Sequence, residues 1–207
     1  RNWRKMITPI RQKLNLVETN LTEKDYHSIE YGKLPSRAFN KYKKAFVRND
    51  ENRFNEFLAA VQKGEAKINA NCIYPYEIVS QIRQKISNNS WGFNPRRGYN
   101  LSREELTIFT EMWKALPAFN IQGNVLTVVD VSGSMFTQIS SSSNALAVDV
   151  STSLGIYTSE HNTGIFKNNY ISFSERPQLI SLSPDFSIVD KLMYIYTTDD
   201  GLNTNIQ

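Results

Sequence analysis

Residues 125–134, VLTVVDVSGS, decide the reading of this chain. Val125, Leu126, Val128 and Val129 form a run too short to cross a membrane but of the right length for a strand buried on both faces of a parallel sheet. The run stops at Asp130, and Ser132 and Ser134 follow at alternate positions around Gly133, giving Asp-x-Ser-x-Ser at a strand end. Loops at the carboxyl ends of such strands are where α/β folds bind ligands. Three oxygen-bearing side chains on one tight loop, with Gly133 letting the backbone turn, suit a small hard cation that takes oxygen ligands octahedrally. Mg²⁺ is the expected ion, with Mn²⁺ as its substitute. Other readings stay open here. Ser132 or Ser134 could cap the next helix. Asp130 could be a phosphotransfer nucleophile, but two residues on stands Ser132 rather than a second carboxylate able to act as general acid. A serine nucleophile lacks the Gly-x-Ser-x-Gly elbow, and His27 and His161, the two histidines, lie far from the motif and read as surface residues. With no catalytic constellation, the chain is expected not to be an enzyme.

The 207 residues allow one large or two small domains, and 40% hydrophobic with 21% charged residues describes an ordinary globular chain rather than a disordered one. The single cysteine, Cys72, excludes an intrachain disulfide and fits a reducing compartment; it reads as a small core residue at a helix edge. No stretch reaches the ~20 apolar residues of a transmembrane helix, and no leader opens the sequence, so a cytoplasmic location without membrane contact is expected. A start at Arg1 and an end at Gln207 suggest a fragment of a longer polypeptide.

The net charge of +4 hides a division. Residues 1–123 hold 21 Lys+Arg against 12 Asp+Glu, a net of +9, whereas residues 124–207 hold 3 against 8, a net of −5. Such asymmetry suggests a polyanion-facing region joined to a domain with other partners, although basic helices are also simply soluble helices.

The basic part, residues 1–118, reads as consecutive helices. Ile7, Ile10, Leu14 and Val17 make one apolar stripe over residues 6–17. After Pro35, Ser36 is a candidate N-cap; Phe39, Tyr42 and Phe46 face inward, while Arg37, Lys41, Lys44 and Arg48 fall at steps of four, three and four, a basic stripe on one helix. Asp50 is expected to cap a third helix, with Phe54, Phe57, Leu58 and Val61 inward and Gly64 at its end. A fourth starts at Pro75. Residues 87–102 read as an exposed loop whose Trp91, Phe93, Arg96, Arg97 and Tyr99 could stack bases and hold phosphates, or merely anchor the loop. Ser102 and Glu105 form a capping box opening a helix through Trp113, ended by Pro117, that is expected to pack on the second domain. Residues 119–123 read as a hinge. Beyond the Asp130 loop, a helix over 145–159 with Leu146, Val150, Leu154 and Tyr157 on one side, strands at 170–174 and 178–183, and a helix over 187–196 give β-α-β-β-α.

At Asp130, Ser132 and Ser134 the chain resembles the von Willebrand factor A domain, whose metal-ion-dependent adhesion site carries this motif. The resemblance implies a Rossmann-like α/β domain, of which residues 124–207 would be the first half. It also implies a Thr ligand from a later loop, for which Thr204 in Gly201-Leu202-Asn203-Thr204-Asn205 is the candidate. A final Asp would lie past the end of this chain. Asp130 would act through water, and an open metal position would accept a partner's carboxylate.

A wider resemblance rests on KMITPIRQKLNLVE at 5–18, YGKLPSRAFNKYKKAFVRND at 31–50, GEAKINANCIYPYEIV at 64–79, VVDVSGSM at 128–135, ISFSERPQL at 171–179 and GLNTN at 201–205. These segments, in this order, resemble a family of uncharacterised proteins of plants, fungi and giant DNA viruses, similar in turn to the Ro and telomerase-associated TROVE proteins. The fold implied is α plus α/β, a helical repeat-like TROVE-type region followed by a partial A domain. The function implied is RNA binding by the helices, through Arg37, Lys41, Lys44, Arg48, Arg96 and Arg97, beside a metal site built of Asp130, Ser132, Ser134 and Thr204. A protein-interaction module without an RNA role is the alternative. The abundance of Asn and Ile suits an A+T-rich genome, which favours a virus or protist and, if viral, association with the virion.

Overall fold

The apolar run ending at Asp130 forms strand β1, Thr127–Asp130, in the computed structural model, which describes residues 2–14, 16–86, 101–119, 121–173 and 176–198. The chain forms two compact units, Arg1–Cys72 and Ile73–Gln207.

In the first unit, α1 (Asn2–Lys13) and α2 (Val17–Glu23) replace the single helix expected over 6–17. Leu16, extended at φ −71° and ψ 136°, separates them. Ile10 and Leu14 are exposed while Val17 is buried in α2, so the expected stripe does not share one buried face. A 3₁₀ turn at Tyr31–Lys33 leads into α3 (Ser36–Asn49) and α4 (Glu51–Gln62). Tyr31, Phe39, Phe46 and Phe54 are buried and, with Phe57, form one aromatic cluster with centroids 5.1 to 6.5 Å apart.

Two expected caps do other work. Ser36 opens α3 without a side-chain cap, and its hydroxyl instead accepts from the Cys72 backbone N–H at 3.1 Å. Asp50 stands at the α4 N-cap without capping, because its carboxylate accepts from the Tyr31 hydroxyl at 2.6 Å and from Arg53 at 2.9 Å. Burial, and then this bond to Asp50, push the Tyr31 phenol well above its ordinary range. Gly64, at φ +78°, ends α4 as expected. Cys72 is exposed rather than part of the core, since its turn is held through its backbone.

The second unit holds α5 (Pro75–Ile86), α6 (Arg103–Lys114), β1, a 3₁₀ turn (Gly133–Phe136), α7 (Ala147–His161), β2 (Asn169–Phe173), β3 (Gln178–Ser181) and α8 (Ile188–Thr198). From β1 onward this is the expected β-α-β-β-α order. The sheet order is β1-β2-β3, with β1 parallel to β2 and β2 antiparallel to β3. The molecule is thus of mixed helix-and-sheet class, with one small sheet among the described residues.

The compact units divide between Cys72 and Ile73, ahead of the expected helical domain's end at residue 118. Helices α5 and α6 pack with the sheet-bearing unit, α5 against α7 and α6 against α8. Within the stretch expected as a hinge, Ile121 is tied to the end of α7: its N–H donates to the His161 carbonyl and its carbonyl accepts from the Thr163 N–H, both at 3.2 Å. Ser102 and Glu105 form the expected capping box on α6. Trp113 packs edge-on against Tyr157 of α7, and its indole N–H donates to Glu160 at 2.8 Å, as does Lys191 of α8 at 2.6 Å.

Among the described residues only one face of the sheet is covered, which corrects the doubly buried strand. Val129, Tyr170, Ser172 and Ile180 lie on the side of α7 and are buried. On the other side Val128, Ile171 and Leu179 sit in one cross-strand row, Val128 at 56% and Leu179 at 59% exposure. Among the described residues, no helix is long and apolar enough to cross a membrane.

Candidate metal centre and basic helix face

Asp130 is the last residue of β1, and the chain turns there without a left-handed glycine. Gly133 is not among the positive-φ residues; the turn is the 3₁₀ helix itself, closed by the Met135 N–H donating to the Ser132 carbonyl at 3.0 Å. Within it the Ser132 N–H donates to Asp130 Oδ1 at 2.9 Å, an Asx-type contact that fixes the carboxylate against its own loop. The Ser132 and Ser134 hydroxyl oxygens are 3.1 Å apart. Cis ligands of Mg²⁺, at ~2.1 Å from the ion, stand about 3.0 Å apart along an octahedral edge, so this pair fits the ion's geometry.

The capping alternative loses ground here. Ser132 is the N-cap of the 3₁₀ turn but makes no side-chain cap bond, and Leu146 occupies the N-cap of α7. Ser132 is buried at 3% exposure while Ser134 is exposed, so the pair joins a buried residue to one open to solvent. Thr204 lies outside the described residues, as do Arg96 and Arg97. Among the described residues no three His, Cys, Asp or Glu side chains gather at one point. The described candidate donors are one carboxylate and two hydroxyls from a single loop, of which the two hydroxyls touch each other.

Sequence reasoning missed Ser151. The Asp130 backbone N–H donates to the Ser151 hydroxyl on α7 at 3.0 Å, so the helix grips the loop from behind. A lone serine inside a helix carries no motif, and only the β1–α7 packing brings it to this point. At the other end of β1, the Thr127 and Thr158 hydroxyls are 2.6 Å apart.

The α7 N-terminus is itself clamped. Asp149, fully buried, accepts from Arg83 of α5 at 2.6 and 3.0 Å and from the Leu146 N–H at 2.8 Å, while Arg83 also donates to the Asn144 carbonyl at 3.1 Å. This bidentate pair holds α5, the start of α7 and the end of the serine-rich loop together. His161 stacks on Tyr157 with centroids 4.1 Å apart and its Nδ1 lies 2.8 Å from the Tyr157 carbonyl, whereas His27 is exposed.

On α3, Arg37, Lys41, Lys44 and Arg48 are all exposed. Their spacing puts them on one face, opposite buried Phe39 and Phe46. Arg37 donates through Nε to the Cys72 carbonyl at 3.2 Å. The Lys41 ammonium lies 4.9 Å from the Tyr42 ring centroid, and its pKa is held above the ordinary value first by its hydrogen bond with the Tyr42 hydroxyl.

Residues 1–117 match the Domain of unknown function (DUF2828), and residues 124–207 match the Domain of unknown function (DUF7788). Uncharacterized protein L728 of Acanthamoeba polyphaga mimivirus is 27% identical over 227 aligned residues, covering 100% of this chain. The chain spans 35% of the length of that curated relative. No solved structure matches.

Proposed function

The chain belongs to the family of the Domain of unknown function (DUF2828), and from that premise we propose that it is a non-enzymatic, RNA-binding component of a ribonucleoprotein that also carries a metal-ion-dependent adhesion-type site. The observation that carries the RNA part is the single exposed face of α3 bearing Arg37, Lys41, Lys44 and Arg48. Four cations at helical spacing suit successive phosphates, which position a nucleic acid without reading its bases. The resemblance to a family that is in turn similar to the TROVE proteins points to the same reading, with Arg96 and Arg97 as further phosphate contacts.

The test is binding to a structured RNA with a single-stranded tail at rising salt. If each of the four cations neutralises one phosphate of a single strand, a roughly fourfold rise in salt weakens binding ~50-fold. Substituting all four by Gln is expected to remove most of this salt dependence while leaving the far-ultraviolet circular dichroism unchanged. Unaltered RNA retention in that variant would sink the RNA reading.

The second module would be a von Willebrand A-type fold in which Asp130, Ser132, Ser134 and Thr204 hold Mg²⁺. Bound there, the ion supplies a positive centre for an acidic group on a protein partner. Asp130 is held by Ser132 and Ser151, and Ser134 opens the loop to solvent. Asp130→Asn is expected to abolish any Mg²⁺-dependent rise in melting temperature, since a ligand that binds only the folded state stabilises it by mass action. Equal Mg²⁺ responses in the two proteins would remove Asp130 from the site. The exposure of Ser134 favours a second reading, a metal-dependent protein-interaction module with no RNA role; it predicts no RNA binding at low salt.

A further inference from the structure

We infer that Ser151 of α7 is a positioning residue of the metal centre, an inference that rests on the metal reading of the Asp130 loop. Three bonds converge on this loop: the Asp130 N–H donates to Ser151 Oγ at 3.0 Å, the Ser132 N–H donates to Asp130 Oδ1 at 2.9 Å, and the Ser132 and Ser134 hydroxyls sit 3.1 Å apart. The first comes from outside the loop. It fixes the main chain of the carboxylate-bearing residue, and the second fixes that residue's side chain. Together they tie both the main chain and the carboxylate of Asp130 to its neighbours.

A ligand set of one carboxylate and two hydroxyls holds a divalent ion only if its oxygens are already aimed, because each neutral hydroxyl adds little by itself. Groups that orient metal ligands commonly change affinity by ~10–100-fold when removed. Ser151 would play this part through the Asp130 main chain, to which its hydroxyl is bonded. Its exchange for Ala leaves the Asp130 N–H to water and lets the end of β1 relax away from α7.

The measurement is calorimetric titration of the folded chain with MgCl₂, comparing wild type, Ser151→Ala, Ser151→Thr and Thr158→Val. Thr158→Val removes the corresponding α7 hydroxyl contact at the other end of β1, and so matches the structural loss without touching the loop. Ser151→Ala is expected to bind Mg²⁺ at least ~10-fold more weakly, Thr158→Val to bind like wild type, and Ser151→Thr to recover the affinity through its retained hydroxyl. A Ser151→Ala protein that binds like wild type, or that weakens no more than Thr158→Val, overturns the inference and leaves the metal reading standing. Absence of Mg²⁺ binding by wild type overturns the metal reading, and this inference with it.

Discussion

Arg83→Met is expected to destabilise the sheet-bearing unit by about 3–5 kcal/mol, the scale for removing one partner of a buried ion pair. Asp149 has no exposed surface and the Arg83 side chain is 15% exposed, so little water can replace the guanidinium. Among the described residues the carboxylate would keep its bond from the Leu146 N–H alone. Urea unfolding followed by circular dichroism reads the loss directly. A whole domain is stable by about 5–15 kcal/mol, so the variant is expected to be marginal or unfolded at 37 °C. Arg83→Met with Asp149→Asn should be milder than Arg83→Met alone, since Asn leaves no buried charge and its carbonyl can still accept from Leu146. A loss below about 1 kcal/mol in the single variant would mean that the pair behaves as a surface salt bridge.

Gly155→Ala is the second large effect, and its sign is opposite to helix propensity. In an exposed helix this exchange gains ~1 kcal/mol. Here the added Cβ would stand 2.2 Å from Val129 Cγ2 and 3.4 Å from Val129 Cβ, with Val129 at 1% exposure in β1. Val129 is β-branched and stiff at χ1, so either the strand or the helix must move. A net loss of about 1–2 kcal/mol is expected after the propensity gain, as for other overpacked cores. Val129→Ala in the same chain makes room, and the double variant should be more stable than the sum of the singles by roughly 1 kcal/mol. Additive losses would mean that the two residues do not meet. Because Val129 directly precedes Asp130, the same shift should weaken Mg²⁺ binding wherever the metal reading holds.

Much of the second unit's element order was legible because strands and turns announce themselves locally. The run before Asp130, the Glu175-Arg176-Pro177 break between two strands and the Ser102/Glu105 box are all short-range signals. The buried face of α7 was legible only in part. Leu146, Val150, Leu154 and Tyr157 suggest one stripe, and of these Tyr157 is buried, yet Leu154 is 49% exposed and the interior side also takes Val148, Thr152, Gly155 and Ile156. Small polar residues go inside because their hydroxyls return to the helix's own carbonyls, Thr152 to Val148 at 2.7 Å and Ser159 to Ile156 at 2.8 Å. A hydrophobicity pattern counts such residues as outward.

The site was legible as a loop and not as a setting. Asp130, Ser132 and Ser134 lie within five residues, and the structure brings the two hydroxyls together. Ser151 lies 21 residues from Asp130 and Arg83 lies 66 from Asp149, distances over which only tertiary packing carries information. The failed caps at Ser36 and Asp50 have the same origin. Each side chain found a partner distant in sequence, Cys72 for the one and Tyr31 for the other, that competes with the helix end.

The hydroxyl contacts at the two ends of β1 make α7 a gauge for the strand. From Ser151 to Thr158 a helix climbs about 10.5 Å at its usual rise, and from Thr127 to Asp130 a strand advances about 10 Å. Two turns of helix therefore measure off three strand steps, running in the opposite direction, with Gly155 lying flush between the two marks. Such commensurate lengths do not tolerate a slip. One residue inserted between Ser151 and Thr158 would rotate one mark by ~100° about the helix axis and leave it unable to meet its partner. Insertions and deletions in the chain's longer relatives should thus fall outside this seven-residue span, and a library of single-residue insertions scored for folding should show an empty interval there.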